Sequence, residues 1–327
     1  MTWQLAVSSW SWHEAYYAGR WSLRDLPEGA RQVGLARIEA NDFMLPPPRF
    51  SRIRRPLLAL LPGAPPELWR YSRGSLAQLK HRAMGDGEHG RETGSSQGFL
   101  PLWPVSPPSH RTRNYDERGR ETGSISTLCW TINSDFTVPH WAWPLQQVYL
   151  RRGLAAASHL HTPLLRLNLG GQPDTPTAQD ERLITRLVAF VRQSQQRIPG
   201  LTLTVENHWG ISTDIERHLW LVAQAKSRLP EGLQERLGCC FDPGNMPEGE
   251  RERWWRGLSA AANHFHFKTT GFDGCGRDPH LPHDHILALL HAAHYQGDVT
   301  IEFQGAGNPI AGVKQSIRLF HQVTYPA

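Results

Sequence analysis

Four short apolar runs in the second half of the chain each end in a side chain able to hold a metal. L-T-L-T-V precedes Glu206, G-C-C-F precedes Asp242, N-H-F precedes His266 and V-T-I precedes Glu302. A β-rich run closed by a carboxylate or an imidazole is how a parallel barrel gathers ligands at one mouth. Two Glu, one Asp and one His make a hard, mostly oxygen-donor set. It suits one divalent cation (Mn²⁺, Mg²⁺, Co²⁺ or Zn²⁺) and leaves room for a substrate. The four residues are spaced 36, 24 and 36 positions apart. These are lengths of βα repeats, so each ligand is expected from a successive strand.

The local context sharpens each position. Glu206 heads E-N-H-W-G (206–210), a polar and aromatic run with a glycine that mere packing does not ask for. Asp242 opens D-P-G-N (242–245), which alone reads as a β-turn; its place after the Glu206 unit favours the metal reading. His264, His266 and Lys268 share one face of a strand by two-residue alternation. Such a polar row fits a polar mouth better than the usual apolar barrel interior. Glu302 precedes F-Q-G-A-G, and a carboxylate at a buried strand end needs a partner, for which a cation is suited.

The elements that would position these groups alternate along the whole chain. Strand-like runs begin at Leu5, Ala36, Thr127, Pro163, Leu201, Gly238, His264 and Val299. Helical stretches fall around Leu23–Val33, Glu67–Arg82, Pro144–His159, Ala178–Gln196, Asp214–Arg228, Gly249–Ala262, Asp284–Tyr295 and Ile310–His321. Within D-E-R-L-I-T-R-L-V-A-F-V-R the apolar residues recur at helical spacing, and Thr213 and Asp214 suit a helix start. Eight such units predict an α/β fold, a single (β/α)₈ TIM barrel spanning residues 1–327. No G-x-G-x-x-G follows the first strand, which argues against a doubly wound dinucleotide fold. Residues 84–124, rich in Gly, Pro, Ser and Arg, form a long disordered-looking insertion between helix 2 and strand 3.

Bulk properties exclude several classes. The net charge of +5 resides in Ser51–Ile125, with 12 Lys and Arg against 7 Asp and Glu; the remainder is neutral. One basic insertion on a balanced body argues against a nucleic-acid groove. No apolar run reaches membrane-spanning length and the N-terminus has no signal-peptide pattern, so a cytoplasmic location is expected. Cys129, Cys239, Cys240 and Cys275 lack a C-x-x-C spacing and are expected to be reduced.

Taken together, these motifs resemble those of the xylose isomerase-like TIM barrels, the sugar phosphate isomerase/epimerase superfamily. The resemblance runs through S-S-W-S-W-H, G-L-A-R-I-E-A-N-D-F, L-L-R-L-N-L-G-G, T-V-E-N-H-W-G, F-D-P-G-N, H-F-H-F-K and I-E-F-Q-G. It implies that Glu206, Asp242, His266 and Glu302 bind one divalent metal. Two positions depart from the pattern. Asn245 stands where many epimerases have a histidine, and Lys268 occurs where many carry an arginine soon after the strand-seven histidines.

The implied activity is isomerisation or epimerisation of a keto-sugar or polyol by proton transfer through an enediolate. Glu206 and Glu302 would exchange the proton, and Lys268 or His208 would steady the oxyanion. Arg166, His13, Trp12 and Asn245 would contact the substrate. A dehydratase acting on an inositol-type ketone is the near alternative, and a metal-dependent endonuclease using His280, His283 and His285 is a further one. A non-catalytic sugar-binding barrel would show a broken ligand set, whereas all four ligands are present. Arg49, Arg52, Arg54 and Arg55 follow strand two and could meet an anionic substrate group. Barrels of this kind often pair through their outer helices, so a homo-oligomer is also an expectation.

Overall fold

A computed structural model describes residues 3–46, 65, 67, 73–84, 114–115, 121–122, 124–246 and 248–325. Eight parallel strands close into a barrel: β1 (Leu5–Ser8), β2 (Arg37–Asn41), β3 (Ser126–Ile132), β4 (Leu164–Leu167), β5 (Thr202–Glu206), β6 (Leu237–Phe241), β7 (Ala262–Thr269) and β8 (Val299–Phe303). Strands adjacent in sequence are adjacent in space, and β8 pairs with β1. All eight predicted strands are present.

A helix follows each strand: α1 (Leu26–Gln32), α2 (Arg73–Met84), α3 (Trp143–His159), α4 (Asp180–Arg197), α5 (Ile215–Ser227), α6 (Arg251–Ala261), α7 (His283–Ala292) and α8 (Pro309–Thr324). The apolar stripe of α4, Leu183, Ile184, Leu187, Val188 and Val191, is buried in the main core. Outward-facing strand residues such as Leu203, Val205, Phe265, Phe267 and Ile301 join the same core, which therefore lies between barrel and helices. Asp214 caps α5 by accepting the Arg217 amide at 3.0 Å, as the sequence predicts.

Inside the barrel, Ala6, Leu128, Cys129 and Leu164 form a small apolar plug toward the strands' N-terminal ends. Above it the interior is polar. The second helix begins later among the described residues than the sequence suggests. Glu67 lies apart from it, buried, and accepts the side-chain amide of Asn133 at 3.2 Å. Of the insertion, Asn114–Tyr115 and Glu121–Thr122 pair as a two-residue antiparallel ladder between α2 and β3. Most of the insertion, and Arg49, Arg52, Arg54 and Arg55, lie outside the described residues. Among the described residues no helix is long and apolar enough to cross a membrane. The four cysteines are free thiols, and only Cys275 is exposed.

His218, on the buried face of α5, has no hydrogen-bond partner for either ring nitrogen among the described residues. Burial lowers its pKa to about 4 despite the pull of Glu206. Because the folded value is depressed, the unfolded chain binds the extra proton. Stability is therefore expected to fall as pH drops below ~6.5, the ordinary histidine value, by about 3 kcal/mol once both values are passed. Urea denaturation of wild type and His218→Leu at about pH 7 and pH 4.5 should show a steeper acid loss for wild type. Equal losses would contradict this.

Candidate active site

The mouth of the barrel at the strands' C-terminal ends brings together the four side chains read from the sequence. His266 Nδ1 lies 3.4 Å from Glu206 Oε1, 3.4 Å from Asp242 Oδ2 and 3.9 Å from Glu302 Oε2. Ligand atoms of Glu206, Asp242 and His266 all fall within 4.8 Å of one another. All four residues are at most 3% exposed, so their charges face each other rather than water.

Local backbone features fix this geometry. Gly210 ends the E-N-H-W-G run with φ +67°, and a Cβ there would sit 2.3 Å from the Gly170 carbonyl oxygen. Only glycine permits that approach, which seats the loop after β5 on the loop after β4 through Ile211 N–H to Gly170 O at 3.1 Å. Asn207 clamps the next strand from both sides: it donates to the Asp242 carbonyl and accepts the Asp242 amide, each at 2.8 Å. In D-P-G-N, the Gly244 amide donates to Asp242 Oδ1 at 2.8 Å. A Cβ on Gly244 would lie 2.6 Å from Lys268 Cδ, so the glycine leaves a channel for the lysine stem.

Further side chains complete the inner layer. Glu39, on β2, is fully buried and contacts both histidines of β7, His264 Nε2 at 2.8 Å and His266 Nε2 at 3.2 Å. A proton on His266 Nε2 donated to Glu39 leaves Nδ1 bare toward the three carboxylates. This is how metal-ligating histidines are held. Arg166, on β4, bridges Glu39 at 2.8 Å and Glu206, and it also donates to Thr131 Oγ1 at 2.9 Å and Asn41 Oδ1 at 2.7 Å. Lys268 Nζ lies 2.9 Å from Asp242 Oδ2, 3.2 Å from Glu302 Oε1 and 2.8 Å from Asn245 Oδ1. Ser8 donates to Glu302 Oε2 at 2.9 Å.

The charges do not balance. Glu39, Glu206, Asp242 and Glu302 oppose two fixed cations, Arg166 and Lys268, which leaves two formal negative charges when the histidines are neutral. Burial would raise the Glu206 carboxyl, but Arg166 and then His208 hold it well below the ordinary range. Burial likewise opposes the ionised Asp242, and Lys268 with His266 overrides it. The surplus reaches His266. Burial disfavours its charge, yet the Glu39 and Glu302 carboxylates push its pKa well above the ordinary value. A divalent cation would satisfy the same field with the imidazole neutral. Three carboxylates and one imidazole are the donor chemistry such an ion accepts, so the residues fit it.

The remaining sequence candidates divide. Asn245 stands at the rim, its Nδ2 3.5 Å from Glu206 Oε1. His208 is 45% exposed with Nδ1 3.7 Å from Glu206 Oε2, so it borders the mouth. His13 is partly exposed, stacked on Trp10 at 4.8 Å, with Nδ1 2.9 Å from the Trp10 carbonyl. Two expectations need correction. Arg166 commits its guanidinium to protein groups across the barrel and is no free anchor for a substrate hydroxyl. Trp12 is 4% exposed, stacked on Trp21 at 5.7 Å with its ring against Gly29 of α1, which is a packing position.

Glu39 went unread although A-R-I-E-A marks its strand, because it sits within the strand rather than closing it. Its two-residue spacing from Asn41 was the available signal. The histidines considered for an endonuclease do not converge on the mouth. His283 is buried against the Lys268 carbonyl at 2.8 Å, and His285 pairs with Glu252 on the surface at 2.6 Å.

No protein-family model and no curated protein matches the chain. Solved structures do match across nearly its full length. A xylose isomerase-like TIM barrel protein from Mycobacterium smegmatis in complex with magnesium superposes with TM-score 0.60 at 11% identity, covering 99% of this chain and 97% of that one. The fold is that of a xylose isomerase-like TIM barrel. A D-allulose 3-epimerase from Methylomonas sp. in complex with D-allulose gives TM-score 0.59 at 10% identity, covering 98% and 96%. An AP endonuclease, family 2, from Brucella melitensis gives TM-score 0.59 at 11% identity, covering 95% and 97%. Neighbours of this fold include enzymes of different reaction classes. Identities this low establish shared architecture and leave the reaction to the site.

Proposed function

We propose that this protein is a divalent-metal-dependent enzyme that moves a proton at the carbon beside a carbonyl in a keto-sugar or polyol, an isomerase or epimerase. The observation that carries this reading is the convergence of Glu206, Asp242 and Glu302 on His266 Nδ1 within 3.4–3.9 Å at the barrel mouth. Those four side chains would hold the ion, which when bound supplies Lewis-acid polarisation of the substrate carbonyl. The epimerase and the magnesium-bound protein of the same fold support the substrate class and the cofactor.

The chain's own groups have separable roles in this reading. Glu302 lies between Ser8 and Lys268 at the mouth and takes the proton from carbon. Lys268 keeps its proton because Asp242 and Glu302 outweigh burial, and it offers positive charge beside a developing oxyanion. Asn245 and His208 border the site, where they can meet substrate hydroxyls. Burial excludes water from the acids.

One contact favours a second reading. The Arg166–Glu206 pair holds Glu206 ionised and makes it a weak base, so proton handling falls mainly to Glu302. A single working base suits a dehydratase, or an isomerase that returns the proton to the same face, better than an epimerase. Incubation with Mn²⁺ or Mg²⁺ in deuterated water, against a panel of ketoses and inositol ketones, tests both readings. Deuterium at the carbon beside the carbonyl supports proton transfer, and loss of water identifies the dehydratase. Neither change across the panel would overturn the proposed function.

A further inference from the structure

Below the oxygen-rich mouth, the interior carries a second group of metal-capable side chains with softer chemistry. β6 places Cys240 beside His264 of β7 in the strand register. One ligand atom each from Cys240, His264 and His266 lie within 4.8 Å of one another, and Glu39, Cys129 and His264 form a like group. All five residues are fully buried.

His264 belongs to both groups and is only half satisfied. Glu39 holds its Nε2 at 2.8 Å, while its Nδ1, also buried, has no hydrogen-bond partner among the described residues. A buried polar atom with no partner is costly and calls for an explanation. An imidazole fixed by a carboxylate through one nitrogen and bare at the other is poised to bind a metal. Thiol and imidazole donors around one point are the ligands zinc prefers. The proton-transfer chemistry at the mouth uses neither thiol, and burial keeps Cys240 protonated by pushing its pKa up to about 12.

We propose that the barrel interior holds a thiolate-ligated divalent-cation site of the zinc class, anchored by Cys240 and His264, with His266 serving either this site or the mouth but not both at once. As the sulfur–metal bond forms, the thiol proton leaves to water; nothing is oxidised or reduced. Glu39 holds both imidazoles from behind and supplies the nearest negative charge. The site stands independently of the proton-transfer reading, because a cation held only by the carboxylates and His266 has no sulfur bond.

Titration of the full-length protein with Co²⁺, under argon with a non-thiol reductant, distinguishes the two. Near-ultraviolet thiolate-to-cobalt charge-transfer absorption is expected to grow to saturation and to disappear when Zn²⁺ is added. Cys240→Ser should lose the band, whereas Asp242→Asn and Cys275→Ser should keep it. Absence of the band in wild type, whether or not Co²⁺ binds elsewhere, overturns the proposal even if the Cys240 variant does not fold. A band that survives in folded Cys240→Ser overturns it as well.

Discussion

Replacing Arg166 by methionine is expected to lower the free energy of unfolding by about 3–5 kcal/mol, the usual cost of breaking a buried ion pair from one side. Glu39 and Glu206, both at most 2% exposed, depend on this one guanidinium. Methionine fills similar volume and offers no charge, so both carboxylates must either stay ionised in a poorly solvating interior or take up protons. Arg166→Lys should recover only part of the loss. An ammonium cannot reproduce a planar fork that reaches Glu39, Glu206, Asn41 and Thr131 together. Urea denaturation at neutral pH measures the difference. A change below about 1 kcal/mol, the range of surface ion pairs, would mean that Arg166 is not the counterion of this layer.

Glu39→Gln is expected to weaken Mn²⁺ binding on the order of 10–100-fold while leaving the four proposed ligands in place. The carboxylate accepts from His264 Nε2 and from His266 Nε2, and with Arg166 it closes the inner layer. A glutamine carries one acceptor oxygen and an NH₂ group that repels an imidazole N–H. His266 then loses the hydrogen bond that fixes its tautomer and directs Nδ1 toward Glu206, Asp242 and Glu302. Calorimetric titration with Mn²⁺ reads the effect directly. Unchanged affinity would show that another group orients His266.

What the sequence made legible follows from what is local. The strand-closing acids were readable because strand alternation, an adjacent turn and repeat-length spacing all act over a few residues. The row His264, His266 and Lys268 needed only a period of two. Arg166 was visible as a charged residue near a strand end, but its role was not. Its partners come from β2, β3 and β5, and no local pattern says whether an arginine faces a ligand or a carboxylate across the barrel.

The family resemblance implies a substrate contact for Trp12. The chain instead makes a 3₁₀ turn over Ser9–Trp12, which carries the indole toward α1. Glu39 shows the same limit from the other side. A glutamate inside a strand is conspicuous only once the strand is known to line a polar interior. The inward thiol Cys240 was hidden by its neighbour Cys239, since adjacent cysteines in a buried strand look alike until the register separates them.

In the proposed site, consecutive strands deliver Glu206, Asp242, His266 and Glu302 to one cation. The most direct measurement of this is calorimetric titration of metal-stripped protein with Mn²⁺, wild type beside Asp242→Asn. Saturable binding of one Mn²⁺ per chain is expected in wild type and its loss in the variant, with the fold intact by circular dichroism. Wild-type protein that binds no Mn²⁺, or a folded Asp242→Asn variant that binds it equally well, would contradict the account.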